Sequence, residues 1–402
     1  MNTKYKENWE ATKEKWKNYW LHMNTGRPLM CVIARKKEIE EAAARENCMD
    51  VCRSEGKYHC LPEELKCISP EDKYLNPDKI VARYRHFCET HKFLGESFPN
   101  MQVDFGPGSV AAYLGADIDF RLDTIWYEPC IEELTEYKPL AFDSDNYWLK
   151  KHLEYTKRCR ELSKDDFIVC IPDLMEGIDV LSAMRGTQEL LYDSIDEPEE
   201  VKKRIWEIEK NYSAFYDCFY EIIKDEEGGS AYMVFQIWGP GKTAKLQCDF
   251  GALMSPAQFK DFILEPLREQ AKTLDQVVYH LDGPDNIRHL DDILSIEEID
   301  AIQWTSGDSG PDGTLEKWDI IYDKSILAGK SIWVKVYSGE FEDWVKNADR
   351  LVKKYGSHSL FLHFPEMSEE QAEYLMDYAE KNWSNIEGTF CQEHKICRRQ
   401  NA

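Results

Sequence analysis

Val277-Val278-Tyr279-His280-Leu281-Asp282-Gly283 is an apolar run of strand character that ends in a histidine and an aspartate. Side chains alternate faces along a strand, so His280 and Asp282 point one way and Leu281 the other. Gly283-Pro284 turns the chain, and Asp285-Asn286-Ile287-Arg288-His289-Leu290 reads as the start of a helix. Two polar, metal-competent side chains at the C-terminal end of a strand, just before a helix, point to an α/β enzyme site. The plainer alternative is a His/Asp pair that orders a loop, because polar groups at a strand end need partners whatever their job.

The same alternation extends on both sides of this run. Downstream, a helix over 284–294 precedes a strand over 300–304, and the glycine-rich loop 305–313 follows. Helix 315–327, strand 331–336, helix 340–354, strand 359–363 and helix 368–383 complete that half. Upstream lie helix 145–162, strand 167–171, helices near 177–193 and 197–226, and strand 232–237. Helix 256–273 starts after the cap-like Ser255-Pro256. The first third holds an amphipathic helix over 4–22 carrying Trp9, Trp16, Tyr19 and Trp20. A break follows at Gly26-Arg27-Pro28, then a strand at Leu29 to Ile33. Residues 36–98 are charged, with helices near 38–54 and 78–94. A strand ends near Asp104, and the aromatic stretch 117–140 reads as an excursion over the mouth of a site, together with loop 305–313.

Strands are thus expected near residues 31, 103, 169, 234, 278, 302, 333 and 360, all separated by helices. Short apolar strands alternating with helices imply a parallel sheet buried on both faces. Eight such units favour a closed (β/α)8 TIM barrel over an open α/β sheet. The expected division is an N-terminal helical extension (1–26), the barrel (27–385) and a tail (386–402). No G-x-G-x-x-G follows the first strand and no P-loop occurs, which speaks against a Rossmann nucleotide site and a P-loop phosphate site.

Among 402 residues, 43% are hydrophobic and 12 are tryptophan, ample for a core. No apolar run reaches the roughly 18 residues of a transmembrane helix, and the charged N-terminus lacks the apolar centre of a signal peptide. A cytoplasmic protein is expected. The net charge of −25 argues against nucleic acid or an anionic membrane as partner. The 13 cysteines are scattered, which suits reduced thiols. Two groups stand closer together: Cys48, Cys52, Cys60 and Cys67, and Cys391, His394 and Cys397. Neither has the paired C-x-x-C spacing of a zinc ribbon, and Cys48-x-x-x-Cys52 lacks the third cysteine of an iron–sulfur radical motif.

In a barrel the active residues stand at the C-terminal strand ends. Those ends carry Arg35, Asp104, Asp173, Gln236 with Trp238, His280 with Asp282, Gln303 with Trp304, Lys335 and His363. Their recurrence after apolar strands is the informative feature.

Tyr279-His280-Leu281-Asp282-Gly283, followed by a helix and Asp300-Ala301-Ile302-Gln303-Trp304, resembles the uroporphyrinogen decarboxylase-like superfamily. So do the stretch from Asp173-Leu174-Met175-Glu176-Gly177 to Asp196-Glu197-Pro198, and Cys248-Asp249-Phe250-Gly251-Ala252-Leu253-Met254-Ser255-Pro256. The resemblance spans roughly residues 100–385 and implies the barrel. It implies one of two chemistries: cofactor-independent decarboxylation, or methyl transfer with corrinoid proteins or thiols at a zinc held by His-x-Cys and a later cysteine. Arg27 and Arg35 are present, but the decarboxylases' double-arginine pattern around them is not. Asp104 falls near those enzymes' aspartate. On the methyltransferase pattern, His280 matches the histidine, Asp282 stands where a cysteine would, and His363 lies near the third ligand.

The expected site therefore has His280, Asp282 and His363 on a divalent metal, zinc by preference. Asp104, Asp173 and His280 are the expected catalytic groups. Arg35, Gln236, Trp238, Asp249, Gln303 and Trp304 are expected to bind substrate. The expected function is metal-assisted methyl transfer from a small methylated substrate, with a corrinoid protein as possible partner. The alternatives are a carboxy-lyase of a substituted aromatic acid, with Asp104 or Asp173 handling the proton and Arg35 a carboxylate, and a non-catalytic binding member.

Overall fold

Apolar segments bounded by turn residues form the strands in the computed structural model, which describes residues 4–40, 61–307 and 310–396. β1 (Leu29–Arg35) pairs antiparallel with β2 (His91–Gly95). β3 (Asn100–Met101) is followed by an antiparallel hairpin of β4 (Asp117–Phe120) and β5 (Ile125–Glu128). β6 (Ile168–Val169) then pairs parallel with β3. β7 (Ser230–Tyr232) and β8 (Ile237–Gly239) form a second hairpin, and Ile171 bridges in parallel to Tyr232. β9 (Thr243–Gln247), β10 (Gln276–Asp282), β11 (Ala301–Thr305), β12 (Ser331–Lys335), β13 (Leu360–His363) and the short β14 (Met367–Ser368) complete the set.

The fold is mixed α/β with a mostly parallel central sheet, ordered β14-β1-β13-β12-β11-β10-β9. Parallel neighbours require crossovers, and helices supply them: Leu290–Leu294 between β10 and β11, Asp319–Leu327 before β12, and Phe341–Tyr355 before β13. Among the described residues the hydrogen-bonded ladder is not one continuous ring, since β3–β6 and β7–β8 stand as separate pairs.

The expected strand over 232–237 is instead the β7–β8 hairpin, with Gln236 in its turn at φ +53. The strand that follows, β9, was not foreseen. Thr243-Ala244-Lys245-Leu246-Gln247 carries a lysine and a glutamine where an apolar run would announce a buried strand, yet all five residues are buried. The helix expected near 78–94 ends at Thr90, where β2 begins. That near 177–193 is two helices, Gly177–Arg185 and Thr187–Asp196, parted by Gly186 at φ +97. The helix expected near 38–54 lies largely outside the described residues, as do Cys48, Cys52, Cys60 and Cys397. Every described cysteine is free.

Register decides which side chains share a face. His280 is opposite Gln247 and Gln303, Gln303 is opposite Trp333, and Trp333 is opposite Phe361. One step toward the C-terminal ends, Asp282, Thr305, Lys335, His363 and Cys31 occupy the same face. The helix Trp9–Trp20 closes the other end of this face: Trp16 packs on Phe361 with ring centroids 5.0 Å apart, and the Trp20 indole donates to the Trp238 carbonyl at 2.8 Å. No helix among the described residues is long and apolar enough to cross a membrane.

Candidate functional site

At the C-terminal ends of β9 and β10, ligand atoms of Asp249, His280 and Asp282 all lie within 4.8 Å of one another. His280 and Asp282 come from one strand, two residues apart. Asp249 comes from the turn just past β9, and it continues the spacing of two set by Lys245 and Gln247. Asp249 is exposed and the other two are partly exposed, so the cluster opens to solvent.

The loops that carry these residues are fastened to each other. The Asp179 carboxylate accepts from the amides of Asp249 and Phe250, both at 2.8 Å. The Asn286 amide donates to the Asp282 carbonyl at 2.7 Å, and His289 Nε2 contacts the Gly251 carbonyl at 2.9 Å. Gly283, at φ +76, makes the turn that releases the chain after Asp282.

His280 is oriented by Gln303. The Gln303 side-chain amide donates to the Trp304 carbonyl at 3.0 Å and to Thr305 Oγ1 at 2.9 Å, so its oxygen faces His280 Nδ1. An oxygen can only accept, which puts the ring proton on Nδ1 and leaves the Nε2 lone pair for a ligand. Burial, with the nearby Lys245 ammonium, lowers the His280 pKa, and the neutral ring that results is the form that binds metals. On the other flank a chain of polar contacts runs along β9. The Lys245 ammonium meets Asp173 at 2.7 Å and Gln247 Oε1 at 2.6 Å, and Gln247 Nε2 donates to Asp249 at 3.0 Å.

Two carboxylates and a neutral imidazole offer charge −2 in hard and borderline donors. That set fits a divalent cation such as zinc or manganese, with positions left for water or substrate. It carries the same formal charge as two thiolates and a histidine but lacks their softness.

The other expected residues are placed as follows. His363 is not in the cluster. Its strand is separated from β10 by β11 and β12, and its ring stacks on Trp333 at 5.2 Å. Trp304 lies on the opposite face from His280, because the pleat that sets Gln303 beside the histidine turns its neighbour outward; it packs on Trp318 at 4.8 Å. Trp238 packs edge-on against Trp9 of the N-terminal helix at 5.7 Å. Gln236 accepts from the Asn100 side-chain amide and bonds back to Met233, ordering its own turn. Arg35 is engaged by Glu366, and Arg27 by a bidentate contact to Glu96 at 2.7 and 3.0 Å. Asp104 accepts from the Gly106 amide at 2.9 Å and is exposed.

An aromatic side chain beside His280 was not anticipated. Phe235 sits 5.3 Å from His280 and 5.4 Å from Trp333, which makes a continuous strip from His280 through Phe235 and Trp333 to His363. No local sequence signal marks Phe235, since it belongs to the tight turn of the β7–β8 hairpin. In the excursion 117–140, Tyr127 donates to the Phe105 carbonyl beside Gly106 and Gly108, just past β3. Asp312, in the loop after β11, accepts from the amides of Tyr337 and Ser338, both at 2.7 Å.

No family model and no curated protein matches the chain. Among solved structures it is similar to a methyltransferase from Methanosarcina mazei. The two share 13% identity with a TM-score of 0.58, and the match covers 92% of this chain and 98% of that one. At that identity the likeness is one of fold.

Proposed function

We propose that this chain is a methyltransferase-like enzyme in which a divalent metal on Asp249, His280 and Asp282 activates a small methylated substrate at the C-terminal ends of the parallel strands. The observation that carries the reading is the convergence of three ligand atoms within 4.8 Å, with Gln303 fixing the histidine tautomer they require. The fold likeness to a methyltransferase over nearly the full length of both chains supports it.

We take the strands to form a closed (β/α)8 barrel over residues 27–385, with two seams bridged mainly by side chains. At one seam Ser97 Oγ donates to the Val32 carbonyl at 2.9 Å; at the other the β7–β8 hairpin is inserted between the wall strands β6 and β9, and the Thr243 amide donates to Ser230 Oγ at 2.9 Å. Closure brings the face that holds His280, Trp333 and Phe361 to the inside, with Trp16 and Trp20 plugging its floor.

A bound divalent ion would act as a Lewis acid on the substrate's oxygen or sulfur and make it a better leaving group. Gln303 keeps His280 in the ligating tautomer, Asp179 holds the Asp249 loop, and Phe235 with Trp333 offers an apolar wall for a methyl group or a flat ring. Asp173, partly exposed and next to Lys245, is the group placed to return a proton to the departing atom. A corrinoid protein as methyl carrier belongs to the same proposal. The carboxy-lyase reading is weaker because Arg35, its carboxylate clamp, already holds a glutamate.

Elemental analysis of purified, tag-free protein tests the reading. About one equivalent of a divalent metal is expected in wild type, lost in His280→Ala and in Asp249→Asn with the fold retained. Active wild type without metal would refute it.

A further inference from the structure

Glu176 stands at the N-terminus of the helix Gly177–Arg185, 4% exposed, and neither of its carboxyl oxygens has a hydrogen-bond partner among the described residues. Glu209, on the long helix Pro198–Ile223, reaches the same place. Its Oε1 lies 2.5 Å from where a Cβ on Gly177 would stand, and its Oε2 also lacks a hydrogen-bond partner. Gly177 has no positive φ to require glycine, so it is the approach of the Glu209 carboxylate that a side chain there would block. Both acids line a cavity of about 10 Å³, room for one water-sized occupant, together with Asp179 and Gln247. Ile205 and Leu267 belong to its apolar wall, and no lysine or arginine among the described residues lines it.

We propose that this cavity is an alkali-cation site, with Glu176 and Glu209 as its charged ligands. Three carboxyl oxygens that no protein group satisfies surround one small space, and buried oxygens of this kind need a donor or a cation. A water molecule could donate to two of them but brings no charge, so it leaves ionised acids uncompensated. Asp179, on the same wall, adds to the negative field; its two oxygens accept from the amides of Asp249 and Phe250. The Lys245 ammonium acts on Glu176 through its field, while its direct bonds go to Asp173 and Gln247.

The geometry selects the class of ion. A divalent ion needs a compact cage of oxygens at short range. Among the described residues, three His, Cys, Asp or Glu ligand atoms lie mutually within 4.8 Å only at Asp249, His280 and Asp282. The cavity at Glu176 is looser, which suits a singly charged ion with longer and less regular contacts. Glu209 is partly exposed, so an ion has a route in from solvent. Cation and proton compete for the same oxygens, since burial pushes the Glu176 carboxyl well above its usual range and Glu209 up to about 8. The site is separate from the cluster at Asp249, and the proposal does not depend on the methyl-transfer reading.

Thermal unfolding of the full chain tests the site, with a divalent-metal chelator present and potassium, sodium or tetramethylammonium chloride at one ionic strength. Tetramethylammonium is too large for the cavity and controls for screening of the net charge of −25. Potassium or sodium should raise Tm saturably by roughly 1–3 °C over tetramethylammonium. Glu176→Gln should lose that rise. Gly177→Ala should lose it too, because it keeps both carboxylates and displaces only Glu209; Glu209→Gln replaces Glu176→Gln if that variant fails to fold. Anomalous diffraction from crystals of the full chain grown in rubidium chloride should place one ion between Glu176 and Glu209. Equal Tm in the three salts, a rise that persists in Glu176→Gln and Glu209→Gln, or rubidium found only elsewhere would overturn the proposal.

Discussion

In the proposed site His280 binds a cation in one tautomer only, and Gln303 sets that tautomer with an oxygen whose partner amide nitrogen is spent on Trp304 and Thr305. Removing that oxygen frees the ring to rotate and to place its proton on Nε2. Gln303→Leu is therefore expected to weaken divalent metal binding by roughly 10–100-fold while leaving the fold intact, measured by competition with a chromogenic chelator. Residues at this scale were partly legible. The alternation in Tyr279-His280-Leu281-Asp282 carries its own geometry, so the shared face of His280 and Asp282 can be read from the chain alone. Asp249 lies in a stretch that carries the resemblance and was expected to bind substrate, but its place beside His280 and Asp282 depends on the hidden β9, where Lys245, Gln247 and Asp249 repeat the same period of two. His363 ends its strand as expected, and Trp304 stands one residue before the end of β11. Position along the sheet then separates His363 from His280, and the pleat separates Trp304, and neither effect can be counted from strand ends.

The elements that were easiest to read are those whose apolar period is uninterrupted, such as β10 through β13. β9 escaped because its polar residues face a polar interior, where they serve Asp173 and Asp249 instead of solvent. β2 escaped because it follows a helix with no glycine or proline between. Another element-level feature is the clasp between β1 and the turn after β2. Glu96 is buried, which alone would raise its pKa, yet Arg27 and then Lys15 hold it down to about 2. A depressed carboxylate contributes stability that is complete above the unfolded glutamate value of about 4.3 and fades as pH falls toward the folded value. Arg27→Met strands that charge and is expected to cost about 3–5 kcal/mol at neutral pH. Chemical denaturation across pH should also show the variant losing less stability than wild type on acidification from about pH 5 to pH 2.

For the molecule as a whole, recurrence carried more information than any motif. Strand–helix alternation over most of the chain indicated the mixed α/β class with parallel strands, and a solved methyltransferase at 13% identity has a similar fold. Patterns of burial survive where individual residues do not, which is why fold was legible and substrate was not. The net charge of −25 has a local counterpart in the cluster, where two carboxylates face each other with no cation among the three side chains. Such a site is repulsive when empty, and a divalent ion relieves the repulsion in the folded state alone. Binding that favours the native form stabilises it by RT ln(1 + [L]/Kd), about 2.7 kcal/mol at a hundredfold excess over Kd. Calorimetry of chelator-treated protein should therefore show Tm rising as zinc or manganese is titrated in, and falling back when chelator is restored. Asp282→Asn removes that pairwise repulsion along with one proposed ligand, so the variant should start with a Tm at or above that of metal-free wild type and respond weakly to metal. A Tm in wild type that ignores both ions, or a variant that responds as strongly as wild type, would show that the three side chains do not act together on a cation.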